Sequence, residues 1–161
     1  MPDQREQALA VPIVFGILIR DGQVLMIKRA FEPYQGTITV PGGHKRPGES
    51  LRRACIREMA EETGYTLNSL KLAGVMEVNS SGDSRDFLCF YFISGDFGGK
   101  MASGSEGDVF WVGLNEAPHL AKAHPAFKAL APVLLCNRGF FEARAMVDED
   151  GEGEYVILED C

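Results

Sequence analysis

The chain reads as a succession of short apolar runs broken by glycine-rich turns, with one long helical stretch in the first half. Val11 to Arg20 alternates weakly and is mostly apolar, the pattern of a strand covered on both faces. Asp21-Gly22 is a hairpin turn signal, and Gln23 to Arg29 resumes as a strand. Gly36 to Val40 is a further β-branched run, stopped by Pro41-Gly42-Gly43. Leu51 to Thr63 (LRRACIREMAEET) is rich in helix formers. Ser50 is placed to cap its start and Gly64 its end. Leu70 to Asn79 and Asp86 to Ser94 read as strands joined by a Ser-Gly-Asp turn, and Phe110 to Leu114 as a short strand. Ala126 to Cys136 reads as a second helix despite Pro132. Phe140 to Val147 and Tyr155 to Leu158 read as a closing hairpin around an acidic loop. The predicted class is α+β, a mixed sheet with two helices in a single domain over 1–161. Residues 1–10 read as a loose tail.

Composition adds limits. With 161 residues, 45% of them hydrophobic, the chain can bury a normal core. No apolar run approaches a membrane span, and the polar start lacks the core of a secretion signal. Cys55 and Cys89 lie in apolar patterns, and with Cys136 and Cys161 form no metal-type spacing, so a reducing, cytoplasmic setting is expected. The net charge of −7 argues against a nucleic-acid polymer as partner. It fits simple solubility, or carboxylates gathered around a cation.

The helix decides between these. At about 100° per residue, Glu58, Glu61 and Glu62 share one face. Like charges three and four residues apart repel, and they lie toward the helix end that disfavours anions. Taken alone, such a face also fits a solvated surface beside Arg57. A divalent cation would remove both penalties, and Mg²⁺ favours carboxylate oxygens and substrate phosphates. The strand–glycine loop–helix order upstream can bring a backbone carbonyl to the same ion.

At this point the resemblance becomes specific. Gly43, five residues, Glu49, seven residues, then Arg57-Glu58-Met59-Ala60-Glu61-Glu62-Thr63-Gly64-Tyr65 resembles the Nudix signature at every fixed position. Tyr65 departs from the usual aliphatic residue, at a position that packs rather than reacts. The resemblance covers roughly residues 11 to 158 and is weakest in the last third.

The resemblance implies an α/β/α sandwich around a mixed sheet. It implies Glu58, Glu61 and Glu62 as metal ligands, with a Gly42 or Gly43 carbonyl and Glu49 in support. It implies Arg57 as the arginine that orients a motif glutamate. Mg²⁺ is the expected cofactor, with Mn²⁺ as an alternative. In MutT-like relatives a glutamate before a Trp-bearing strand often takes the proton from water. Glu106, ahead of Trp111, is the first candidate here for that base or an extra ligand, and Glu62 the second. Related enzymes grip phosphate with a basic residue at the end of the second strand, here Arg29 or Lys28.

The expected substrate is a small nucleotide or nucleoside diphosphate derivative, and the expected state a monomer or homodimer. Some MutT-like enzymes read a purine with acids before the second helix, but Ala123 to Phe127 holds none. His124 as a base-edge partner and Phe127 as a stacking ring are the substrate candidates there. The sequence leaves three readings open: a nucleoside triphosphate diphosphatase, with 8-oxo-dGTP as one candidate substrate; a hydrolase of ADP-ribose or a dinucleoside polyphosphate; or a non-catalytic nucleotide sensor.

Overall fold

The structure, a computed structural model, describes residues 8–136 and 139–158. Most of the predicted tail and Cys161 lie outside the described residues. The elements in chain order are β1 (Ala10–Arg20), β2 (Gln23–Arg29), β3 (Ile38–Thr39), β4 (Gly42–His44), α1 (Leu51–Thr63), β5 (Tyr65–Leu67), β6 (Lys71–Ser80), β7 (Asp86–Ser94), β8 (Phe97–Gly99), β9 (Gly107–Gly113), α2 (Pro125–Leu134), β10 (Phe141–Val147) and β11 (Gly153–Leu158). Nine strands form one mixed sheet along the path β11-β10-β6-β7-β1-β2-β3, with β4 also on β1 and β9 also on β2. Two pairings are parallel, β1 with β7 and β6 with β10.

The weak alternation of β1 has its cause in two covered faces. Val14 and Leu18 join Leu25, Ile27, Phe92 and Val109 against Ala54, Cys55 and Met59 of α1. Ile17 joins Val24, Met26, Met76, Cys89 and Tyr91 against Phe127, Leu130, Ala131 and Leu134 of α2. The result is the expected α/β/α sandwich. Helix α1 lies so close to β1 that a Cβ on Gly16 would sit 2.4 Å from the Met59 sulfur. The Ser50 hydroxyl accepts from the Arg53 N–H at 3.2 Å, and Gly64 ends α1 in the left-handed region at φ 76°.

Three expectations need correcting. The Gly36–Val40 run shrinks to two residues of strand, because Gly36 turns at φ 79°. Gly42–His44 is not a stop but a strand, because β1 is long enough to pair with β4 along Ile13–Phe15 and with β2 at Ile19–Arg20. Strand β9 starts at Gly107, three residues before the predicted Phe110, along the full length of β2. The sequence also gave no notice of the β5–β8 ribbon, whose strands are three residues each. Here Tyr65 is buried, with Phe97 and Trp111 packed at its ring and the Arg20 guanidinium 3.9 Å from the Phe97 centroid. The aromatic at the end of the motif is a packing residue, as its position implied.

Candidate active site

Helix α1 presents its glutamates to the β4 segment. A Cβ on Gly43 would lie 2.4–2.6 Å from the Glu58 carboxylate, so only a glycine lets strand and side chain approach this closely. The Gly42 N–H donates to Glu62 Oε2 at 3.0 Å. Arg57 fastens the group from outside. Its Nε and Nη2 donate to the two oxygens of Glu49 at 2.8 and 3.0 Å. Its Nη1 donates to Glu58 at 2.6 Å and to Glu61 at 3.3 Å, and Nη2 also reaches the His44 carbonyl at 3.1 Å. The Arg46 N–H donates to Glu49 Oε2 at 3.0 Å. Both Glu49 oxygens thus accept hydrogen bonds, so the carboxylate does not stand alone but anchors Arg57. Neither does it cap α1, since Ser50 does. The Arg57 guanidinium bonded to Glu49 holds that carboxyl down at about 2, helped by the Arg46 N–H.

Glu62 is 5% exposed. Burial pushes its carboxyl up to about 8, and the charges of Glu58 and Glu106 add to this, while the Gly42 N–H and Arg29 oppose it. Among the described residues no salt bridge reaches Glu62, and Arg29 acts on it only at longer range. Among the described residues, no three His, Cys, Asp or Glu side chains converge as a ready metal cage. The reason is visible in the bonding. Glu58 and Glu61 share Arg57, with Arg46 also at Glu61, while Glu62 turns to the Gly42 N–H. The donor set still fits a hard cation, being all oxygen, on one helix turn, against a glycine backbone.

Glu106 is brought to the same place by backbone alone. The loop before β9 closes the end of α1, where the N–H groups of Ala102 and Gly104 donate to the carbonyls of Thr63 and Glu62 at 2.9 and 3.2 Å. The Ala30 N–H then donates to the Glu106 carbonyl at 2.9 Å, tying that loop to the end of β2. Glu106 is exposed, with its charge felt at Glu62.

The basic pair divides. By alternation Arg29 shares the face of Leu25 and Ile27, toward α1, and Lys28 points the other way and is exposed. The Arg29 charge acts on Glu62, Tyr34 and His124, and its Nε donates to the Pro33 carbonyl at 2.9 Å. Arg29 thus links the glutamates to a second corner.

That corner holds His124 and a residue absent from the sequence reading, Tyr34. The rings meet edge to face at 4.6 Å between centroids. Tyr34 sits at φ 66°, unusual for a residue with a side chain, in a turn locked by the Thr37 N–H and hydroxyl on its carbonyl. An aromatic within Pro33-Tyr34-Gln35-Gly36, ahead of a strand, was the available signal. His124 caps α2, its Nδ1 accepting from the Ala126 N–H at 3.1 Å. Phe127, in contrast, is 2% exposed within the α2 core. Packing on both faces leaves no ring surface for a ligand, so Phe127 is a core residue and not a stacking partner.

Burial lowers the His124 imidazole to about 4, helped by Arg29. A histidine depressed in the folded state is neutral there while the unfolded chain binds a proton, so stability falls as pH drops from 6.5 to 4. At pH 5 the loss is about 2 kcal/mol. His124→Asn keeps a capping acceptor but does not titrate. Thermal melts at pH 7.5 and 5 should show a smaller acid-induced drop in Tm for the variant, by several degrees. An identical drop in both proteins would place the acid sensitivity elsewhere.

Comparison with known proteins adds the family. The sequence model described as NUDIX domain matches residues 10–133. The chain is 32% identical over 112 residues to an ADP-ribose pyrophosphatase of Methanocaldococcus jannaschii, covering 69% of this chain and 66% of that protein, just under two thirds of its length. It is 29% identical over 97 residues to an 8-oxo-dGDP phosphatase of Mus musculus, covering 60% of this chain and 28% of that protein. The fold resembles a MutT protein of Bacillus halodurans, with a TM-score of 0.82, 24% identity, and coverage of 91% of this chain and 97% of that one. With that domain model spanning most of the sequence, and its signature residues gathered between one helix and one glycine strand, the chain belongs to the Nudix family of hydrolases.

Proposed function

We propose that this Nudix hydrolase cleaves a diphosphate linkage in a nucleoside triphosphate, an oxidised purine such as 8-oxo-dGTP being one candidate, releasing nucleoside monophosphate and diphosphate. Nudix hydrolases act on small nucleotide derivatives with a divalent cation. Mg²⁺ is the cation proposed here, with Mn²⁺ as a substitute. The observation that carries the reading is the Glu58–Gly43 approach beside the buried Glu62, which sets carboxylates and a strand backbone around one small space. Glu58, Glu61 and Glu62 would hold the cation, with the carbonyl of Gly42 or Gly43. When bound, the cation supplies charge neutralisation at the phosphates and acidifies water.

The chain's own groups do the rest. Arg57 holds the glutamates in register through Glu49. Glu106, exposed beside Glu62, takes the proton from the attacking water, with Glu62 the second candidate for that step. Arg29 grips phosphate on the side away from α1's solvent face. Lys28 lies on the wrong face for that contact, which favours Arg29. Tyr34 and His124 border the place where the nucleoside end extends.

A second reading, ADP-ribose as substrate, is favoured by the name of the 32% identical relative. A panel of nucleoside triphosphates, 8-oxo-dGTP, ADP-ribose and a dinucleoside polyphosphate, incubated with Mg²⁺ and assayed for the nucleoside monophosphate released, tests the proposal. Triphosphates should turn over with the highest kcat/KM. Preference for ADP-ribose over every triphosphate would replace the first reading by the second, and binding without turnover of any compound would point to a sensor.

A further inference from the structure

Beyond the Tyr34–His124 corner lies a concavity of about 380 Å³ that plays no part in the chemistry described so far. Its walls come from three separate pieces of chain. Gln35, Gly36 and Thr37 form one side, immediately after Tyr34. Lys122, Pro125 and Lys128 form the second, around His124. Asp150 and Glu152, from the tip of the β10–β11 hairpin, form the third.

The charges on these walls are balanced, two ammonium groups against two carboxylates. Yet among the described residues no ion pair joins them, and none of the four side chains has a hydrogen-bond partner within the protein. The hairpin tip is held instead by Asp148, whose Oδ1 accepts from the N–H groups of Asp150 and Glu152 at 2.9 and 3.0 Å. Gly151 packs on His124, and the Tyr155 hydroxyl donates to the Gly151 carbonyl at 2.6 Å. The carboxylates are therefore carried on a braced loop, and their acceptor capacity is unused.

Balanced charge disfavours a simple ion of either sign, since each wall would repel what the other attracts. A neutral group that both donates and accepts gains from every wall at once. Carboxylates accept from paired hydroxyls, ammonium groups donate to their oxygens, the Gln35 amide does both, and the Thr37 hydroxyl, its proton given to the Tyr34 carbonyl, accepts. We infer that this concavity is a sugar-binding subsite, in which Asp150 and Glu152 accept from the hydroxyls of a ribose and Lys122 and Lys128 donate to its oxygens.

The inference rests on the diphosphate-hydrolase reading and narrows its substrate to one carrying a hydroxylated sugar. Two sugars have this chemistry: the ribose of the nucleoside itself, and a second ribose at the far end of a diphosphate. The Asp150→Asn/Glu152→Gln double variant separates them, assayed on GTP, dGTP and ADP-ribose. A tenfold or greater rise in KM for GTP and ADP-ribose, with dGTP within twofold of wild type, assigns the nucleoside ribose. The same rise for ADP-ribose alone assigns the distal ribose. Equal losses on all three compounds, or none on any, would overturn the subsite.

Should the wild-type protein hydrolyse none of them, the hydrolase reading fails and the subsite is read separately, by titrating ribose 5-phosphate and following backbone amide resonances. Shifts at Gly36, Thr37 and Ala123 that vanish in the double variant support it, and unshifted resonances at saturating ligand overturn it.

Discussion

Glu62→Gln should lose at least about 10³-fold in kcat/KM while making the cation-free protein more stable. The two effects have one origin. Glu62 is buried beside Glu58, and its carboxyl is raised to about 8. An acid whose folded value lies above its unfolded one holds its proton longer in the native state. Its contribution is full below about 4.5 and is lost as pH rises toward 8. At neutral pH the ionisable group therefore costs the fold, by about 3 kcal/mol. Glutamine matches its shape, accepts from the Gly42 N–H, and cannot ionise. The variant should melt several degrees higher than wild type at pH 7.5 without cation, with the gap closing near pH 4.5. Adding Mg²⁺ should raise the wild-type Tm more than that of the variant, because a ligand that binds only the native state stabilises it. A variant within tenfold of wild-type kcat/KM would remove Glu62 from the machinery.

Arg57→Lys should cost about 10²-fold in kcat with little change in KM. Arg57 binds Glu49 through two nitrogens, and also Glu58, Glu61 and the His44 carbonyl. Lysine carries the charge but offers one nitrogen, which cannot span partners on both sides of the guanidinium plane. Glu58 and Glu61 would then be free to drift from their places beside the glycine strand. Misplacement of about 1 Å suffices for a loss of this size. The stability loss should stay modest, about 1–2 kcal/mol, since the pair is only partly buried. A steady-state comparison decides it: a rise in KM at unchanged kcat would mean that Arg57 contacts substrate directly.

The readable part of this site was the part written in helical spacing. Glu58, Glu61 and Glu62 fall on one face by arithmetic, and Ser50 and Gly64 bound the helix by the chemistry of caps. What escaped was set by contacts distant in sequence. Tyr34 joins His124 across 90 positions, through a backbone conformation that nothing local announces. Phe127 had the composition of a stacking residue and the burial of a core one, and its helix face was fixed only by packing on the sheet. Gly42–His44 looked like punctuation because glycine disfavours strands, but β1 supplied the partner. The hairpin tip showed only as an acidic loop, and its placement against His124 depends on β10 pairing in parallel with β6.

The division of β1 between two partners ties folding accuracy to reactivity. Val14 lies opposite Gly43, and Ile19 opposite Val24, on one continuous strand. A slip of that strand by one residue would reverse every side chain along it, exposing Val14 and Leu18 to the wrong helix. The same slip would carry Gly43 about 3.3 Å from its place against Glu58. A misthreaded molecule is thus an inert one, and turnover in a fresh preparation is itself a measure of how much of the protein has threaded correctly.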